Sequence, residues 1–194
     1  MIRPDGTVTT FAGGGSNTIV GVPSRPTDAL LSQPEDVAVG PDGSVYFCEV
    51  LSNRIRRVGP EGYLTLVAGP ADGTPEHLDG ILYGPYENGV PAVGADISCS
   101  SVTAGVDGTV YFTSEMTGQL YGVRRVTPDG LIYTFSGSSD HCETESTCGD
   151  LGPALRASYG DLLKGIAVSP QGRIFVVDQG NHVVRELRPL LPEY

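Results

Sequence analysis

The chain has 194 residues, 39% of them hydrophobic and 18% charged, with a net charge of -11, an ordinary globular balance that can build a core. Its acidity repels phosphate backbones and so disfavours general nucleic-acid binding, and no stretch approaches the roughly 18 apolar residues of a membrane-spanning helix. Residues 1–20 lack the charged, apolar, small-residue order of a secretion signal, so a secreted protein would take its signal from outside this sequence.

Gly 27 and Pro 15 punctuate the chain, Trp is absent, and apolar residues come in short runs, which predicts many short strands rather than helices. Residues 1–15, "MIRPDGTVTTFAGGG", read as the end of one strand, a tight turn and a complete further strand. In residues 37–69 the hairpin "VAVGPDGSVYFCE" is followed by a third strand, "NRIRRV", and a fourth that ends in "LVAG". Residues 102–137 repeat this order with "VTAGVDGTVYFTSE", "LYGVRRV" and "LIYTFSG". Residues 165–189 give "IAVSPQGRIFVVDQ" and "HVVREL", three strands without a fourth. The hairpin glycines Gly43, Gly108 and Gly172 are spaced 65 and 64 residues apart, which is a true period. Connectors with related small-residue patterns separate the units, and their similarity predicts a repeated structural job.

A four-stranded sheet with two apolar faces has to stack on copies of itself. Radial stacking gives an all-β β-propeller of four-stranded antiparallel blades; a β-solenoid, the main competitor, would show a shorter period. The short, charge-poor strand "VAV" or "IAV" suits the innermost position. "PDGSVYFCEVLSNRIRRVGPEGYLTLVAG" resembles the NHL repeat in its extracellular form, as in teneurins and bacterial surface proteins, and the resemblance covers nearly all of residues 2–189. It departs from that pattern in its degraded connector glycines and in the second strand, where the usual aspartate remains only as Asp178, with glutamates at Glu49 and Glu115. The strands present amount to about three blades. The resemblance implies a six-bladed ring, so three blades imply either further blades or a multimer, with residues 1–15 as the outer half of a blade whose inner part is 165–189.

"CETESTCGDLGPALRAS" resembles the cysteine-bounded connector of such propellers. Cys142 and Cys148 are read as a local disulfide, the alternative being two free loop thiols. A bridge from Cys48 to Cys99 is the weaker expectation, against two unpaired thiols. A disulfide would place the chain in an oxidising compartment, extracellular or at the cell surface. Asp140, Glu143, Glu145 and Asp150 are weak Ca²⁺ candidates, but they lack the ordered ligand spacing of a calcium loop, and a solvated acidic loop is the plainer reading. No zinc-like spacing occurs, and no cofactor is expected.

His77, His141 and His182 fall in no nucleophile motif. Propeller hydrolases and lyases carry polar groups at the starts of their inner strands, and here Glu35, Asp36 and Lys164 stand there in a non-repeating mixture. Arg54, Arg56, Arg57, Arg124, Arg125 and Arg185 are expected to reach the acidic groups or carbonyls of a neighbouring blade while Ile55 and Val58 pack. The expected function is a non-enzymatic interaction or assembly module that displays its connectors to protein or glycan, or to further copies through the edge strands of an incomplete blade. The alternative is a lactonase- or lyase-like propeller enzyme with a divalent metal in its channel.

Overall fold

The computed structural model describes residues 6–71, 87–116, 120–138, 149–160 and 162–188. β1 (Pro34–Val39), β2 (Val45–Glu49), β3 (Arg54–Val58) and β4 (Leu64–Ala68) form one antiparallel sheet in sequential order. A second sheet contains β5 (Val90–Pro91), β6 (Ser101–Ala104), β7 (Val110–Met116), β8 (Leu120–Val126) and β9 (Leu131–Ser136), in the order β5-β9-β8-β7-β6. A third contains β10 (Leu163–Val168), β11 (Ile174–Asp178) and β12 (Val183–Leu187). The fold is thus all-β, built of several antiparallel sheets in the manner of a propeller. At each first hairpin the turn glycine has φ of 77 to 83°, the left-handed region that a side chain resists. In the first two sheets Asp42 and Asp107 also tie the turn down by accepting from the amides of Ser44 and Thr109.

The alternation of side chains along each strand explains why the sheets stack. Tyr46, Cys48 and Ile55 of the first sheet bury against Val102, Val110 and Phe112 of the second. Val123 and Tyr111, on the opposite face of the second sheet, pack on Ile166, Ile174, Val176 and Leu187 of the third. The middle sheet is therefore covered on both faces. The expectation of a crowded innermost strand fails for β1, where Val37 and Val39 are 64% and 70% exposed, because among the described residues no sheet packs on that side.

The connectors act as staples. The glycine that ends each fourth-strand motif donates its N–H to a connector carbonyl: Gly13 to Pro26 (2.9 Å), Gly69 to Ala92 (3.0 Å) and Gly137 to Ala154 (3.1 Å). All three have positive φ, and a Cβ on Gly69 would lie 2.2 Å from the Asn53 carbonyl oxygen. The first two of these connectors then edge the next sheet. Ser24 exchanges two backbone hydrogen bonds with Leu64 of β4, and β5 pairs with β9. Of residues 1–15, read from sequence as the end of a third strand and a whole fourth, the described residues 6–15 enter no named strand, and Val8 forms an isolated bridge.

The arginines reach the connectors and their own sheets. Buried Arg124 donates to the carbonyls of Asp96 and Glu87, and burial pushes its guanidinium down to about 10 against the pull of the Asp96 charge. Arg185, at the matching position of β12, donates to the Ser158 carbonyl and to Asp150, and it stacks 4.9 Å from the Tyr159 ring centre. Arg56 pairs with Glu49 of its own sheet at 3.4 Å, both side chains buried. The acid expected at Glu115 is also displaced. Strand pairing puts Ser114 where Glu49 and Asp178 stand, and Glu115 is exposed beside Tyr121.

A disulfide joins Cys48 of β2 to Cys99 ahead of β6, with Cα atoms 5.6 Å apart. It closes a loop across the first two sheets, where loop-closure entropy gives about 4 kcal/mol. Replacing both cysteines by alanine is expected to cost about that much in denaturant unfolding, and an unchanged midpoint would show that the bridge carries no stability. Arg124→Ala should cost about 3 kcal/mol, because it opens a cavity where a fully buried side chain stood and removes its hydrogen bonds to two connector carbonyls; calorimetry of the purified variant checks this.

Candidate functional site at the mouth of the inner strands

β1, β6 and β10 are the first strands of their sheets, and β6 packs between the other two. The repeat register puts Glu35, Ser100 and Lys164 at matching positions where these strands begin, and Asp36, Ser101 and Gly165 at the next. β1 shifts register between Pro34 and Val37, and β10 shifts between Lys164 and Ile166. Such bulges bend a strand and re-aim its side chains. Gly165, with φ of 55°, supplies the left-handed residue at the second.

Two layers of contact result. In the lower layer, Asp36 Oδ1 accepts from the Val37 amide at 2.9 Å, while Oδ2 accepts from Ser101 Oγ at 2.5 Å and from the Val102 amide at 2.9 Å. Ser101 Oγ in turn accepts from the Ile166 amide at 3.1 Å. One relay thus runs from β1 through β6 to β10. Ser100 adds a parallel tie, donating to the Leu163 carbonyl at 3.1 Å and sharing a 2.9 Å hydrogen bond with Thr113. In the upper layer, Lys164 Nζ donates to Glu35 Oε1 at 2.8 Å, linking β10 to β1 across the mouth. Both side chains are only partly exposed, 43% for Lys164 and 38% for Glu35.

The layers differ in chemical capacity. Asp36 has both oxygens engaged by three donors, so it is a structural anchor. Glu35 and Lys164 face solvent together and present an acceptor and an ammonium side by side, the pair that acid–base chemistry on a carbonyl needs. A divalent metal does not fit here: Asp36 is already saturated, Glu35 is neutralised by Lys164, and among the described residues no group of three or more His, Cys, Asp or Glu side chains gathers.

Sequence reading noted Glu35, Asp36 and Lys164 at the starts of the inner strands as a non-repeating mixture and assigned no catalytic residue; the structure brings all three together. It missed Ser100 and Ser101, although aligning the hairpin glycines would have put both in register with the named residues. The other candidates lie elsewhere. Cys142, Cys148, Asp140, Glu143 and Glu145, together with His77 and His141, fall outside the described residues. Asp150 is paired with Arg185, and His182 occupies the turn before β12 with φ of 59°.

No family model matches the chain. It is 25% identical over 172 residues to Teneurin-m of Drosophila melanogaster and 29% identical over 175 residues to Teneurin-3 of Mus musculus. Each match takes in 83% of this chain but only 6% of the teneurin. Among solved structures, virginiamycin B lyase from Staphylococcus aureus is 18% identical with a TM-score of 0.40, over 84% of this chain and 42% of the lyase. A putative gluconolactonase is 16% identical with a TM-score of 0.39, over 82% and 61%. The chain therefore spans less than two thirds of these proteins, and the structural likeness is one of fold. These findings correct the expected NHL-type assignment, which rests on a weak and partial similarity. The expected non-enzymatic interaction scaffold is corrected with it and not carried further: the proteins of like fold carry the names of a lyase and a putative gluconolactonase, which belong to those proteins and assign this chain no role.

The relay yields a direct expectation. Asp36→Ala removes three hydrogen bonds to a carboxylate and should lower stability by about 3 kcal/mol, whereas Glu35→Ala breaks a solvent-facing pair and should cost less than about 1 kcal/mol. Equal losses in chemical denaturation would contradict the division between anchor and exposed pair.

Proposed function

We propose that the chain is a section of a propeller enzyme that opens an ester or lactone at the mouth of its inner strands. The convergence of Glu35 and Lys164 carries this reading: matching positions of two separate sheets place a carboxylate and the sequence's only lysine 2.8 Å apart. Lys164 can donate to a substrate carbonyl oxygen while Glu35 takes a proton from water. The water oxygen then attacks the carbonyl carbon, the ammonium stabilises the oxyanion, and collapse breaks the acyl C–O bond. The departing alkoxide recovers its proton from Glu35, which returns to its starting state.

The wider setting belongs to the same proposal. The described sheets are one arc of a ring that further blades or copies complete. The location is extracellular or at the cell surface, a reading that the Cys48–Cys99 bridge supports through its need for an oxidising compartment. No helix of the described residues is long and apolar enough to cross a membrane.

Turnover of a panel of simple esters and five- and six-membered lactones by the purified chain tests the chemistry. Lys164→Ala should lower kcat about 100-fold, the usual worth of a positioned acid–base group, while the thermal midpoint stays in place. Absence of turnover across the panel, or a Lys164→Ala variant as active as the parent, would remove the proposal.

A further inference from the structure

The two joints between sheets are tied differently at the same place. Counted from the hairpin glycines, Cys48 of β2 matches Thr113 of β7, Glu35 of β1 matches Ser100, and Cys99 matches Leu163 of β10. At the joint of the second and third sheets a hydroxyl makes the tie. Ser100 Oγ shares a 2.9 Å hydrogen bond with Thr113 Oγ1 and donates to the Leu163 carbonyl at 3.1 Å. At the joint of the first and second sheets the disulfide runs directly from Cys48 to Cys99.

The residue between the tied positions accounts for the difference. A hydroxyl both donates and accepts, so Ser100 can satisfy Thr113 and a carbonyl together, whereas an ionised carboxylate only accepts. Glu35, in the serine's place, cannot donate to the Cys99 carbonyl, and its carboxylate accepts instead from Lys164 Nζ at 2.8 Å. A joint with a glutamate at this position needs another tie, and the covalent bridge supplies it.

The bridge also adjoins the relay on both strands. The bulge of β1 falls between Pro34, opposite Glu49, and Val37, opposite Phe47, so Glu35 and Asp36 together oppose Cys48. Cys99 stands two residues before Ser101, whose hydroxyl donates to Asp36. Both cysteines are buried. A covalent tie and a hydrogen-bonded one thus hold the same two segments.

We infer that the Cys48–Cys99 bridge is a positioning element of the mouth: it replaces the serine tie of the next joint and so frees Glu35 to meet Lys164, while Asp36 stays seated on Ser101 and Val102. The inference rests on the proposed hydrolysis only for the use to which the pair is put. The placement of the pair does not depend on it.

Amide hydrogen exchange of the folded full chain, resolved residue by residue, tests this without substrate, so absence of turnover bears on the proposed reaction alone. In a Cys48→Ala, Cys99→Ala variant the Val102 amide, which donates to Asp36, should exchange about tenfold faster than in the parent, as a local opening does. Amides of β11 and β12 should keep their rates, and carbodiimide coupling of Lys164 to Glu35 should fall. A Glu35→Ser, Cys48→Thr, Cys99→Leu variant copies the second joint into the first and should return Val102 to its parental rate without a bridge; it decides the matter where the alanine variant does not fold. Unchanged Val102 exchange and coupling in the alanine variant, equal acceleration through all three sheets, or a triple variant that leaves Val102 unprotected would overturn the inference.

Discussion

The hydrogen-bonded relay from Asp36 through Ser101 to the Ile166 amide is the constraint on which the rest depends. Apolar faces alone would let the sheets slide, since hydrophobic burial is proportional to area and carries little direction. The relay fixes the sheets at their innermost ends with short polar contacts in a partly dry setting, where an unmade bond is expensive. Once Asp36 sits on Ser101 and Val102, the bulges that place it leave Glu35 and Lys164 above it, close enough to pair. The exposed pair is therefore a consequence of the part-buried anchoring beneath it.

Farther out, other contacts repeat the same logic. Each fourth-strand glycine hands its amide to a connector, the first two connectors edge the following sheet, and a buried arginine of the third strand holds connector or neighbouring groups in place. The guanidinium suits this work because one planar group can reach two separated carbonyls, as Arg124 does with Asp96 and Glu87. Burial of that charge is costly, yet a connector without it would leave carbonyls unpaired. The described parts of the connectors are accordingly packed structural elements.

Strand order and turns were legible in the sequence because they rest on local chemistry: Gly43, Gly108 and Gly172 mark positive φ, and the Val-Tyr-Phe runs mark strands covered on both faces. The all-β, propeller-like class followed from the period. The register of the second sheet was harder to read, because its β7–β8 hairpin is longer and moves Glu115 off the position that Ser114 takes. The mouth was half legible. Glu35, Asp36 and Lys164 drew notice by place, but the contact between them depends on two bulges and a serine on an intervening strand, none of which has a local signature. The Cys48–Cys99 bridge was likewise weighed lightly, because its closeness comes from the stacking of two sheets.

Carbodiimide coupling without a spacer, followed by peptide mass analysis, tests the central claim most directly, since the sequence has a single lysine and its cross-link is unambiguous. The account predicts that Lys164 couples to Glu35, and that Asp36→Ala, by loosening the anchor beneath the pair, reduces the yield. Coupling of Lys164 to other carboxylates in preference to Glu35, or a Glu35 yield indifferent to the loss of Asp36, would contradict it.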